Sequence, residues 1–148
     1  KCYKYHIKAR SFYSAHFACA AEGGHLVVLN GKEKIAKVKE IFDLNRSKTI
    51  GSVVNNFIFV GFHNFFEDND WRTIHGEPIE EAGFPNFKLG EPNNYEGPEN
   101  CGSIHSSGLL NDISCHKRLA FICEKDPHYP PVCSDDTTTG IATEIFRM

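Results

Sequence analysis

Six cysteines, Cys2, Cys19, Cys101, Cys115, Cys123 and Cys133, constrain the fold of this chain more than any other feature. An even set at irregular spacing suits disulfides, and arithmetic alone leaves about fifteen pairings open. A zinc site needs close cysteine pairs matched by histidine pairs, and neither Cys101/Cys115 nor Cys115/Cys123 has that spacing. At 148 residues, 41% of them hydrophobic, the chain fits one domain with a real core. Its formal charge of -3 points to neither nucleic acid nor an anionic membrane as the main partner. No apolar run approaches the roughly 18 to 20 residues that cross a bilayer.

Two cysteine-bracketed stretches carry the chemistry. The first runs from Gly90 through Glu91-Pro92-Asn93-Asn94-Tyr95 to Glu99-Asn100-Cys101, and the second is Leu110-Asn111-Asp112-Ile113-Ser114-Cys115. Calcium wants six to eight oxygens, and Glu91, Asn93, Glu99, Asn111 and Asp112 offer them as carboxylates and amides. A Cys101 to Cys115 bridge would bring all five to one place. A carboxylate only accepts hydrogen bonds, whereas an amide donates through its nitrogen while its oxygen faces the metal. Glu91 with Asn93, and Glu99 with Asn111, are thus acceptor and donor pairs suited to two neighbouring hydroxyls of a sugar. A cis bond before Pro92 would turn the flanking side chains to one side. Tyr95 offers a ring to the sugar's apolar face, against the plain alternative of an exposed loop tyrosine.

Glu91-Pro92-Asn93, Glu99 before Cys101 and Asn111-Asp112 before Cys115 together resemble the C-type lectin-like domain. Ala18 to Leu26 looks like that family's first helix, and Leu119 to Glu124 like its last strand. The resemblance covers Lys1 to about Lys125, and its phrasing is similar to insect immune lectins. It implies an α+β fold in which two helices flank small antiparallel sheets and a long loop region binds Ca²⁺. It also implies the pairs Cys19 with Cys123 and Cys101 with Cys115, leaving Cys2 and Cys133 to each other or to another chain. Glu-Pro-Asn implies mannose, fucose or N-acetylglucosamine type sugars, since the family's galactose order is Gln-Pro-Asp. A secreted protein that recognises microbial surface glycans is the implied setting. The rival within the family is a domain that binds a protein or lipid without calcium. Leu110 stands where these lectins usually carry Trp. A second calcium site present in some members aligns with Asn64, Asp68, Asn94, Glu99 and Asn100, where amides replace acids and weak or no binding is expected.

The remaining pattern agrees with such a fold. Tyr3, Tyr5 and Ile7 alternate as in an opening strand, and Ser11 can cap a helix carrying Phe12, Ala15 and Cys19 on one face. Asn30 and Glu33 have capping-box spacing before a second helix with Ile35, Val38 and Ile41 or Phe42 inside and its Lys and Glu residues in solvent. Phe57-Ile58-Phe59-Val60 reads as a central strand, and residues 63 to 94 as a long functional loop region. Asn45-Arg46-Ser47 is a glycosylation sequon. Residues 126 to 148 read as a tail or linker, with Pro127, Pro130 and Pro131. A start at Lys1 suits a processed extracellular chain. Avidity through an oligomer or a tandem lectin domain is compatible with all of this.

Enzymatic readings are weak. The eight histidines are scattered without H-E-x-x-H, and nothing places an activated partner opposite Glu80-Glu81 or Glu67-Asp68.

Overall fold

The structure, a computed structural model, describes residues 1–52, 54–92, 98–127 and 142–147, the last group as backbone. Strand β1 (Cys2–Arg10) opens the chain and leads through Ser11 into helix α1 (Phe12–Ala21). The Ser11 hydroxyl accepts from the Ser14 amide at 3.2 Å, as its capping chemistry requires. The helix buries Phe12, Ala15 and Cys19. After β2 (His25–Leu26) comes helix α2 (Lys32–Asn45), which buries Val38, Ile41 and Phe42.

The expected capping box at the start of α2 does not form. Gly31 is the N-cap and provides no side chain, while Asn30 Oδ1 accepts from Lys34 Nζ at 3.0 Å. Nor does every charge of α2 face solvent. Lys34 is buried and pairs with Glu124, which also accepts from the Val28 amide at 2.7 Å. Asn45 of the sequon is wholly buried, and its Nδ2, the atom a glycan would modify, donates to Ile41 O at 2.8 Å. Folding thus hides that modification site.

The central strand β3 (Phe57–His63) is followed by β4 (Arg72–Thr73), a four-residue helix α3 (Ile79–Ala82), β5 (Cys101–His105), β6 (Leu110–Ile113) and β7 (Leu119–Lys125). A last strand, β8 (Ala142–Arg147), lies antiparallel to β1, with Cys2 opposite Arg147. Part of the segment expected as tail or linker therefore joins the sheet. The described strands make one sheet in the order β6-β5-β3-β7-β1-β8, with β2 beside β7 and β4 beside β3. The antiparallel groups meet where β3 runs parallel to β7 at Phe59 and Phe121.

Cys19–Cys123 and Cys101–Cys115 are disulfides, and all four sulfurs belong to one apolar cluster with Phe12, Phe59 and Phe121. Cys2 is also disulfide-bonded. Cys133 lies outside the described residues. A second cluster gathers Tyr3, Tyr5, Val38, Phe42 and Phe62 between α2 and the sheet.

Gly102 sits in β5 directly over the ring of Phe62, so a Cβ there would overlap ring carbons that are themselves fully buried. Gly102→Ala is expected to destabilise the fold by about 1 to 3 kcal/mol through overpacking. Denaturant unfolding checks this, and an unchanged midpoint would contradict the close approach of β5 to Phe62.

Candidate functional site

The segment 86–91 reaches its place by pairing with the first residue of β6. Leu110 N donates to Asn86 O at 2.9 Å, and Lys88 N donates to Leu110 O at 2.8 Å. A turn then closes with Glu91 N donating to Lys88 O at 2.9 Å, preceded by Gly90 at φ 86°, a left-handed conformation that glycine adopts without strain. The Glu91–Pro92 peptide is cis, as the sequence suggested. Glu91 is carried to the end of the sheet where β5 begins and β6 ends.

The other acids lie in β6 and just before β5. Asp112 lies opposite Gly102 and Asn111 opposite Ser103, while Glu99 precedes Cys101, whose disulfide to Cys115 ties the segments together. The Asn64 amide donates to Asn100 O at 3.1 Å and fixes the approach to β5 from the other side. One carboxylate oxygen from each of Glu91, Glu99 and Asp112 falls within 4.8 Å of the others. Glu99 and Asp112 are buried and Glu91 is half-buried. Asn111 is 8% exposed and anchored through its nitrogen, which donates to Asp112 O at 2.8 Å.

Crowding of like charges has an electrostatic signature. Burial, a hydrogen bond with Asp112 and the charges of Asp112 and Glu99 push the Glu91 carboxyl up to about 8, with Lys88 opposing. Below that pH Glu91 carries a proton in the cation-free protein, and a hydrogen bond to Asp112 shares it. A cation placed among the three acids relieves the same repulsion. The donors are all oxygen and mostly anionic, which fits a hard dication such as Ca²⁺ and not zinc.

Of the five expected metal ligands, the structure thus brings Glu91, Glu99 and Asp112 together, with Asn111 adjacent in β6. Asn93 and Tyr95 lie outside the described residues, as does Asn94 of the expected second site. Another acid-bearing cluster, His6, Glu22 and Cys123, offers no thiolate, because Cys123 is in a disulfide. There Glu22 is held by Lys4 at 2.5 Å and by a hydrogen bond with His6 Nε2 at 2.8 Å. Sequence reasoning passed over a cleft beside the site, lined by Trp71, the chain's one tryptophan.

The family described as "Lectin C-type domain" matches residues 8–125. The "Hemolymph lipopolysaccharide-binding protein" of Periplaneta americana is 38% identical over 123 residues, which make up 82% of this chain and 48% of that protein. The "Hepatic lectin" of Gallus gallus is 25% identical over 125 residues, 84% of this chain and 55% of that protein. The chain thus spans about half the length of these relatives. Among solved structures, the carbohydrate-recognition domain of the mouse scavenger receptor C-type lectin superposes with a TM-score of 0.69 at 26% identity, covering 84% of this chain and 88% of that one.

Proposed function

Because this chain belongs to the C-type lectin domain family, whose members bind rather than catalyse, we propose that it is a calcium-dependent carbohydrate-binding domain of a secreted protein. The observation that carries this reading is the convergence of Glu91, Glu99 and Asp112 on one point. These three acids, with Asn111 and Asn93, would hold the ion. Bound calcium supplies Lewis-acid coordination for two vicinal sugar hydroxyls.

The protein's own side chains do the rest. Glu91 and Glu99 each accept the proton of one sugar hydroxyl, and the amides of Asn93 and Asn111 donate to the hydroxyl oxygens. Mannose, fucose or N-acetylglucosamine fits the order Glu91 then Asn93, and Tyr95 packs on the apolar face of the ring. Disulfides such as Cys19–Cys123 and Cys101–Cys115 suit an oxidising, extracellular setting. No helix among the described residues is long and apolar enough to cross a membrane. The cockroach relative's name points to bacterial lipopolysaccharide, which makes microbial surface glycans and innate immune recognition the natural context. Single lectin sites are weak, and an oligomer or tandem domain would raise avidity.

Glycan-array binding in calcium is expected to vanish with chelator and to be competed by free mannose but not galactose. Binding that survives chelation would instead favour recognition of protein or lipid through another surface.

A further inference from the structure

Next to the calcium-site loop lies a cleft of about 350 Å³, a size at the lower end for small-molecule sites. Its inner wall is Trp71, Ile79, Phe84 and Phe87, and its rim carries Asn69, Glu80 and Asn86. Trp71 and Ile79 are buried, the two phenylalanines are half-buried, and the three rim residues are exposed. Trp71 is held in place by Phe62 at 5.5 Å and by Phe87 at 5.6 Å between ring centroids. The indole Nε1 is buried and has no hydrogen-bond acceptor among the described residues.

Aromatic walls with amide and carboxylate rims match the two-sided chemistry of a pyranose. The C–H face of a sugar ring packs on aromatic carbon, and its hydroxyls need donors and acceptors at the edge. Asn69 and Asn86 supply both, and Glu80 accepts. The cleft is also joined to the calcium site by a short stretch of chain. Glu91 is four positions after Phe87, so even a fully extended chain would set their Cα atoms no more than about 14 Å apart. The turn that closes Glu91 N on Lys88 O makes the span shorter. The same Leu110 that anchors 86–88 is followed directly by Asn111 and Asp112.

We propose that this cleft is a second carbohydrate subsite, which takes a further pyranose of the glycan whose first sugar sits at Glu91, Glu99 and Asp112. The proposal rests on the sugar reading of that first site. It makes the domain select oligosaccharides over single sugars, through residues that contribute nothing to the metal. Energetically the second ring binds as an intramolecular event, so modest contacts give a large gain in affinity.

Two sugars and one double variant test it. Methyl α-mannoside and a linear trimannoside are titrated calorimetrically in calcium against the parent and against Asn69→Gly/Glu80→Gln. The parent is expected to bind the trimannoside about tenfold or more tighter than the monosaccharide. In the double variant that gain falls to about twofold or less, while the monosaccharide is bound as before. Emission from Trp71 shifts with the trimannoside and not with methyl α-mannoside. A trimannoside that binds no tighter, or a gain that survives the double variant, overturns the subsite. Failure of both sugars to bind in calcium overturns the reading of the calcium site, and the subsite with it.

Discussion

An Asp112→Asn protein is expected to lose calcium affinity by about 100-fold or more, and with it glycan binding, yet to melt no lower than the parent in chelator. The two effects have opposite signs because they answer to the same repulsion. With the cation present, Asp112 is a buried anion neutralised by it, and removing that charge costs the site one of its three acids. Without the cation, Asp112 is one of the charges that raise the Glu91 carboxyl. Asn preserves the shape and an acceptor oxygen toward the protonated Glu91 while removing that charge. Calcium titration and thermal melts in calcium and in chelator read the two halves separately. A variant that binds calcium as before, or that melts well below the parent in chelator, contradicts the crowded-acid site.

Calcium affinity is also expected to rise steeply with pH, by about tenfold per unit between about 5 and about 8, and then to level off. The reason is the proton on Glu91. Its carboxyl titrates at about 8 in the cation-free fold against an ordinary 4.5, so binding at neutral pH must expel that proton. Carboxylates with ordinary titration would instead release the ion only in the range of roughly pH 4 to 5. Packing moves the window toward neutrality. The sign for the cation-free protein is the reverse. A carboxyl raised on folding stabilises the fold while protonated, and that contribution is lost as pH rises from about 4.5 through about 8. Calcium affinity measured from pH 5 to 9, with proton release followed in buffers of different ionisation enthalpy, checks the slope. A flat profile across that range would show that Glu91 is ionised before the ion arrives.

The site was legible in the sequence because its chemistry is concentrated. Glu91, Glu99, Asn111 and Asp112 lie in two short runs bracketed by cysteines, and residue type plus spacing suffice to group them. The strands and helices were legible for a similar reason, since Tyr3 and Tyr5, or Val38 and Phe42, repeat at the period of their element. What escaped depends on partners distant in the chain. Lys34 looks like any solvated helix lysine until Glu124 is packed against it. Asn45 reads as a glycan acceptor until its amide is found turned inward to Ile41. The run Ala142 to Arg147 was masked by the prolines before it, although Thr143, Ile145 and Phe146 suit a strand, and only the open side of β1 gives it a neighbour. The cleft at Trp71 combines residues from three short segments of a stretch with almost no periodicity, where sequence patterns carry the least information.

The bond between Cys19 and Cys123 spans the calcium loop in sequence, with one sulfur before Glu91 and the other after Asp112. A single proteolytic nick between Glu91 and Glu99 therefore divides the backbone without dividing the molecule. Both fragments stay covalently joined and migrate as one species until a thiol reductant is added, while the two acids become free to drift apart. Such a nick would silence the domain and leave its mass, apart from one added water, unchanged.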